Sequence, residues 1–181
     1  EKMMSRYDFF MQNVKNRSNY YSNIDLEKRR AFNIRSKAFK KLDKLLVIPT
    51  YVSPHKQNAS VESGEDRLNM LKLAFDGIEN VEVCDYEVSS KGVSFTYLTI
   101  LHFKNLYPTA TFYFIMGSDM LENFPTWKNP EVISKNATLV LTSRLGTGFD
   151  DDKLISTVKN LFNANVIKVS YVGSDVSSTA V

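Results

Sequence analysis

This sequence has little cysteine, glycine or histidine, and it has no long apolar segment. Its 181 residues include one cysteine, Cys84, which excludes an internal disulfide and fits a reducing cytosol. No apolar run approaches the ~20 residues of a membrane-spanning helix, and the opening residues, EKMMSRYDFF, do not form the apolar core of a signal peptide. Glycine first occurs at Gly64, so the first 63 residues contain no glycine-rich phosphate-binding turn. We therefore expect a cytoplasmic protein without a membrane partner.

The charge of the chain is unevenly distributed. Residues 1–44 hold 12 Lys/Arg and 5 Asp/Glu, whereas residues 45–181 hold 11 and 15, so the first part carries +7 and the rest −4. A basic segment of this kind can approach phosphates or nucleic acid. Such a run more often forms the solvated face of a helix, so we expect that role and rank a nucleic-acid partner last.

What the sequence does contain, from residue 45 onward, is an alternation of short apolar runs with amphipathic segments. The segment 64–77 and the residue after it place Leu68, Leu71, Phe75 and Ile78 at spacings of three and four, which predicts a helix. Further helices are predicted over 94–108 and 150–164, with two short ones around DMLENF and PEVISKN. Strands are predicted over 45–50, 81–88, 111–116, 137–142 and 166–171. This order predicts a Rossmann-like α/β fold, with a mostly parallel sheet and helices on both faces, in a single domain over 1–181. Residues 1–30 are left unassigned.

Polar motifs follow three of the predicted strands. They are IPTYVSPHK over 48–56, MGSDMLENFPTWKNP over 116–130 and GSDVSSTAV over 173–181. In an open α/β sheet, ligands bind outside the carboxyl ends of the strands. The sequence therefore predicts a ligand site built from these three segments.

The motifs, taken in order, resemble those of the bacterial nicotinate-nucleotide adenylyltransferases over residues 45–181. That family carries a Pro-His-Lys loop, an Arg-Leu-x-Met-Leu helix, a Ser-Tyr-Thr loop with a threonine three residues further on, Gly-x-Asp, Phe-x-x-Trp and a final Ser-Ser-Thr. The matching residues here are Pro54-His55-Lys56, Arg67-Leu68-Asn69-Met70-Leu71, Ser94-Phe95-Thr96 with Thr99, Gly117-Ser118-Asp119, Phe124-Pro125-Thr126-Trp127 and Ser177-Ser178-Thr179. The resemblance implies transfer of the adenylyl group of ATP to nicotinate mononucleotide, which gives nicotinate adenine dinucleotide and pyrophosphate in NAD biosynthesis.

The resemblance also implies roles on the mononucleotide side of the site. Trp127, the only tryptophan, would stack on the pyridine ring, and backbone donors near Thr96 would bind the pyridine carboxylate. Lys56 and Arg67 are assigned to substrate binding. The alternative for Trp127 is a packing residue, and the alternative for Lys56 is a solvated base. Nicotinate and nicotinamide mononucleotide both stay open as ligands, and so does a homo-oligomer.

On the ATP side, the resemblance assigns nucleotide binding to a second group of residues. Asp119 would accept hydrogen bonds from the nucleotide, with the helix N-cap as its alternative, and Gly117 would let the backbone approach the ligand. Lys56 and Arg144 would add positive charge near the polyphosphate, with a solvated base as the alternative for each. Ser177, Ser178 and Thr179 would cap a phosphate-binding helix or serve as a plain cap. Mg²⁺ would enter with ATP, and no metal is assigned to protein ligands.

One family motif is missing from the chain. The family binds ATP with Gly-Gly-Ser/Thr-Phe-Asp-Pro-x-His-x-Gly-His, whose histidines stabilise the charge that develops on the α-phosphate. The chain has two histidines, His55 and His102, and its first 63 residues hold no glycine. We therefore expect weak or no turnover by this chain, and either a partial sequence or a replaced N-terminal segment. The alternative function is a relative that binds a pyridine mononucleotide without turnover. Pantetheine-phosphate adenylyltransferase is a weaker alternative.

Overall fold

The computed structural model describes residues 42–54, 63–143 and 148–170. These residues fall into two compact units, the first ending at Val93 and the second beginning at Ser94. The single domain over 1–181 stays a prediction. In the described parts of the chain, no helix is long and apolar enough to cross a membrane.

The first unit contains a parallel pair of short strands. Strand β1 (Leu45–Val47) pairs with β2 (Val81–Val83), and helix α1 (Gly64–Ala74) connects them. Ser63 caps α1, because its side chain accepts a hydrogen bond of 3.1 Å from the backbone N–H of Asp66. This strand–helix–strand order is the crossover connection that a parallel pair requires.

Two predicted strands are shorter than expected. The strand predicted over 45–50 ends at Val47, and residues 81–88 do not continue as a strand beyond Val83. They turn instead into the short helix α2 (Tyr86–Ser89), whose Glu87 and Val88 are buried. The Ser89 hydroxyl donates to the Asp85 carboxylate at 2.9 Å, and that bond spans the helical turn. VEVCDYEV was predicted to be a strand over its whole length, but local hydrogen bonds of Asp and Ser favour a turn here.

The second unit contains a three-stranded parallel sheet in the order β3-β4-β5. Its strands are β3 (Tyr113–Gly117), β4 (Thr138–Ser143) and β5 (Val166–Ser170), and Met116 lies opposite Leu141 in the register. The helices of this unit are α3 (Thr96–Leu106), α4 (Ser118–Asn123), a 3₁₀ helix (Phe124–Thr126), α5 (Pro130–Asn136) and α6 (Asp151–Phe162). Every strand pairing in the described residues is parallel, as the alternation of strands and helices predicts.

The core of the second unit lies between the sheet and the helices that follow β3 and β4. Its largest side chains with less than 2% exposure are Phe124, Met116, Leu121, Ile133, Leu139, Leu141 and Val158. They come from β3, β4, α4, the 3₁₀ helix, α5 and α6, so the segment after β3 is fixed by the core on which it packs.

Candidate functional site

The first part of the site is the Gly-Ser-Asp motif at the carboxyl end of β3. Gly117 ends the strand and takes the N-cap position of α4, while Asp119 lies in the first turn of that helix and is exposed. A Cβ atom on Gly117 would lie 2.6 Å from Oδ1 of Asp119. The glycine therefore leaves the space that the Asp119 carboxylate occupies beside the strand end.

Asp119 does not cap the helix, which was the alternative role predicted for it. The N-cap position belongs to Gly117, and no side chain makes a cap hydrogen bond there. The carboxylate of Asp119 still lies at the positive end of a short helix, where a negative charge is favoured. Its side chain is thus available to accept hydrogen bonds from outside the helix.

The middle residue of the motif, Ser118, fixes the motif to two other elements. Its buried hydroxyl donates a hydrogen bond of 2.7 Å to Oδ1 of Asp151, the first residue of α6. Lys168 of β5 lies 3.4 Å from the other oxygen of Asp151 and 3.2 Å from Asp152. The hydrogen bond to Asp152 is the largest cause that raises the pKa of Lys168 above its ordinary value, and Asp151 adds to it. Sequence reasoning did not find this network, because no local pattern links residues 33 and 50 positions away to Ser118.

The Phe-Pro-Thr-Trp segment places one aromatic ring in the core and one at its edge. Phe124 is fully buried, whereas Trp127 is half-buried. The Trp127 ring lies 5.5 Å from the ring of Phe124 and 6.0 Å from that of Phe114, measured between centroids. The two predicted roles of Trp127, packing residue and exposed stacking surface, are therefore compatible in one side chain.

The backbone around Trp127 is tightly constrained. Its N–H donates to the carbonyl of Phe124 at 3.1 Å, closing the 3₁₀ turn. Asn129 adopts a left-handed conformation with φ of 53°, and Pro130 begins α5 directly after it. Prolines at 125 and 130 fix φ on both sides of the tryptophan.

Thr96 lies close to the Trp127 segment through its neighbour Phe95. Thr96 is the first residue of α3, and Phe95 precedes it in extended conformation. The ammonium of Lys128, the residue after Trp127, lies 4.6 Å from the centroid of the Phe95 ring. The structure thus places the residue after Trp127 in contact with the residue before Thr96.

Arg67 holds the loop that follows β1 in the first unit. From α1, its guanidinium donates to the carbonyl of Tyr51 at 2.9 Å and to the hydroxyl of Thr50 at 3.4 Å. This loop leads into the Pro-His-Lys motif at residues 54–56. Sequence reasoning assigned Arg67 to substrate binding and missed this structural contact, which orders the loop.

Six residues predicted from the motifs lie outside the described parts of the chain, and their roles stay predictions. They are His55, Lys56, Arg144, Ser177, Ser178 and Thr179. Within residues 42–54, 63–143 and 148–170, no group of three or more His, Cys, Asp or Glu side chains could hold a metal ion. The site described here is therefore the aromatic and Gly-Ser-Asp part in the second unit, and separately the Arg67 loop in the first.

Comparison with known proteins connects this geometry to a family. The cytidylyltransferase-like family model matches residues 32–181. A probable nicotinate-nucleotide adenylyltransferase of Clostridium tetani (strain Massachusetts / E88) is 38% identical over 144 residues, covering 78% of this chain and 71% of the relative. Relatives with the same name from Bacillus cereus (strain B4264) and Aliarcobacter butzleri (strain RM4018) are 38% and 35% identical, over 65% and 62% of this chain. The chain spans 62% and 60% of the length of these last two.

Solved structures agree at the level of the fold. Plasmodium falciparum nicotinic acid mononucleotide adenylyltransferase complexed with NaAD matches 81% of this chain and 70% of its own, with a TM-score of 0.60 and 18% identity. The same enzyme complexed with APC gives a TM-score of 0.57 over the same shares. These matches confirm the predicted Rossmann-like nucleotidyltransferase fold. Together with the family match and the identity to the Clostridium tetani relative, they confirm the predicted resemblance: this chain belongs to the cytidylyltransferase-like family, among the nicotinate-nucleotide adenylyltransferases, which are nucleotidyltransferases.

Proposed function

We propose that this chain binds nicotinate mononucleotide and ATP and serves transfer of the adenylyl group between them, in NAD biosynthesis. The observation that carries the proposal is the partly exposed ring of Trp127, whose neighbour Lys128 contacts Phe95 just before α3. A flat ring that is partly exposed offers a stacking surface for a pyridine. Family membership supports the same reaction, for which we propose a cytoplasmic location.

In this proposal the mononucleotide is held by the second unit. Its pyridine stacks on Trp127, and its carboxylate accepts hydrogen bonds from the first amides of α3, at Thr96 and Tyr97. Those amides lack partners within the helix, since the first amides of a helix always do. Asp119 accepts hydrogen bonds from nucleotide hydroxyl groups at the end of β3. The site binds and orients the mononucleotide, which is where much of the rate of such a reaction arises.

The adenylyl transfer itself requires no covalent intermediate with the protein. An oxygen of the mononucleotide phosphate forms a bond to the α-phosphorus of ATP, while the bond to the bridging oxygen breaks and pyrophosphate leaves with the electron pair. We propose that Mg²⁺ enters with ATP on its β- and γ-phosphates. Lys56, Arg144, Ser177, Ser178 and Thr179 are proposed to contact the phosphates, as the family motifs imply.

A second candidate is a protein that binds a pyridine mononucleotide without turnover. The absence of glycine from the first 63 residues favours it, because the family's ATP motif requires glycine there. Isothermal titration separates the two candidates. Binding of both ATP and nicotinate mononucleotide supports the transferase, whereas binding of the mononucleotide alone supports the second candidate.

The stacking role of Trp127 gives a direct test of the proposed function. Nicotinate mononucleotide should quench the fluorescence of Trp127, the only tryptophan. The change Trp127→Leu should weaken mononucleotide binding by about 1–3 kcal/mol because the stacking surface is lost. It should also cost about 1–2 kcal/mol of stability, because the ring packs on Phe114 and Phe124. Affinity of the variant is measured by calorimetry and stability by denaturant unfolding.

The matched control for that experiment is Tyr113→Leu. Tyr113 is an exposed aromatic residue at the opposite end of β3 from Gly117. The change Tyr113→Leu should leave mononucleotide affinity unchanged. An emission spectrum that does not respond to saturating mononucleotide would refute the proposed function of this site.

The Gly117–Asp119 contact predicts a selective loss of nucleotide binding. In Gly117→Ala the new methyl group would meet Oδ1 of Asp119 at 2.6 Å, so the carboxylate must move. We expect nucleotide affinity to fall by about 1.5–3 kcal/mol, the typical contribution of a hydrogen bond to a charged group. The melting temperature should change little, because φ of Gly117 is −84° and alanine adopts that conformation readily.

Gly92→Ala is the control for Gly117→Ala. A Cβ at Gly92 would approach nothing closer than the Ser90 carbonyl, at 3.8 Å. If Gly117→Ala binds nucleotides as well as the parent chain and Gly92→Ala do, Asp119 has no role in binding.

A further inference from the structure

Lys128 is a cation held at the edge of the aromatic part of the site. Its ammonium lies 4.6 Å from the centroid of the Phe95 ring, within the range of a cation–π interaction. Phe95 is itself positioned by the ring of Tyr97, at 6.2 Å between centroids. The charge of this exposed lysine, the residue after Trp127, therefore lies over Phe95, the residue before Thr96.

Nothing else described in this unit neutralises that charge. Among the residues that the structure describes, no carboxylate lies within ion-pair distance of Lys128. The ion pairs found there are Lys44–Glu82, Lys168–Asp151 and Lys168–Asp152. A cation with a ring partner and no counter-ion favours a ligand that carries a negative charge near it. The start of α3, which adds the positive end of an 11-residue helix, favours the same sign.

We propose that Lys128 is a specificity-determining residue that makes the site prefer the acid, nicotinate mononucleotide, over the amide, nicotinamide mononucleotide. This inference rests on the proposed function, in which Trp127 stacks on the pyridine. The two ligands share the ring, the ribose and the phosphate, and differ by one negative charge on the ring substituent. The proposed position of the ring carboxylate is the start of α3, and the Lys128 ammonium lies over Phe95, the residue before that helix. A cation there acts on the difference, because it attracts a carboxylate more strongly than a neutral amide.

Two other roles for Lys128 predict different results. If its charge served the mononucleotide phosphate, both ligands would lose affinity equally when the charge is removed, since both carry that phosphate. If Lys128 only packed on Phe95, neither ligand would lose affinity. The ratio of the two affinities therefore separates these roles.

The experiment titrates nicotinate mononucleotide and nicotinamide mononucleotide into the 181-residue chain and its variants, following Trp127 fluorescence. The change Lys128→Met should weaken binding of nicotinate mononucleotide by about five- to tenfold, between the effects of an exposed ion pair and of a charge-assisted hydrogen bond. Binding of nicotinamide mononucleotide should change by less than about twofold. Lys128→Arg keeps the charge and the ring contact, so it should keep the preference for the acid.

The control is Lys135→Met, which removes the same charge from an exposed position in the last turn of α5. It should leave the ratio of the two affinities unchanged. An equal loss for both ligands in Lys128→Met, or no loss for either, would overturn the inference while leaving the proposed function intact. A parent chain that responds to neither ligand would instead overturn the proposed function.

Discussion

Replacing Phe124 with alanine is expected to lower the free energy of unfolding by about 3–5 kcal/mol, because a fully buried phenylalanine leaves a cavity when it is truncated. The Phe124 side chain has 0% exposure. Its ring meets that of Phe162 edge to face at 5.6 Å and that of Trp127 at 5.5 Å. Denaturant unfolding followed by circular dichroism measures the loss, and the emission of Trp127 should shift to the red as the ring loses its neighbour.

The control for Phe124→Ala is Leu106→Ala, at the end of α3. Leu106 is 57% exposed, so its truncation should change stability by no more than about 0.5 kcal/mol. A loss below about 1 kcal/mol in Phe124→Ala would show that the segment after β3 does not depend on this ring. Such a result would also remove the structural basis for placing Trp127 at the site.

The second large effect expected is in turnover. We expect the 181-residue chain to form nicotinate adenine dinucleotide from ATP and nicotinate mononucleotide orders of magnitude more slowly than the Plasmodium falciparum enzyme under the same conditions. The family stabilises the reacting α-phosphate with histidines of a glycine-rich motif. This chain has two histidines in all, at 55 and 102, and it has no glycine before Gly64. Loss of one such stabilising donor costs about 3–4 kcal/mol of the activation free energy. Release of pyrophosphate measures the rate.

Quenching of Trp127 by the mononucleotide in the same sample is the control for folding in that assay. A sample in which the mononucleotide quenches Trp127 fluorescence but pyrophosphate is released slowly supports the prediction. Rates comparable to those of the Plasmodium falciparum enzyme would show that other residues of this chain replace the missing motif.

Local sequence patterns were sufficient for most of the described fold. The β-branched and aliphatic runs at 45, 81 and 166 begin strands where predicted, because buried parallel strands are nearly continuous in apolar residues. The pattern failed at 86–88, where apolar and polar residues still alternate but the chain forms a helical turn. Alternation over so few residues fits either structure, and side-chain hydrogen bonds at Asp85 and Ser89 favour the turn.

The candidate site was predictable where one motif carries it and not where distant residues meet. Gly117, Asp119 and Trp127 follow from the motif after β3, and the structure places them on one continuous segment. The contact of Lys128 with Phe95 joins residues 33 positions apart, and no local sequence pattern predicts it. Nor did the sequence show that Trp127 would be half-buried, because the depth of a ring depends on the surrounding core.

The two prolines and the left-handed Asn129 around Trp127 have a thermodynamic consequence for recognition. A side chain on a mobile loop would lose conformational entropy when it closes on a ligand, and that loss would subtract from affinity. Here φ is fixed at 125 and 130, and the 3₁₀ turn fixes the backbone before the tryptophan. For the proposed stacking of Trp127 on a pyridine, the entropic cost of ordering this backbone would therefore arise during folding instead of during binding.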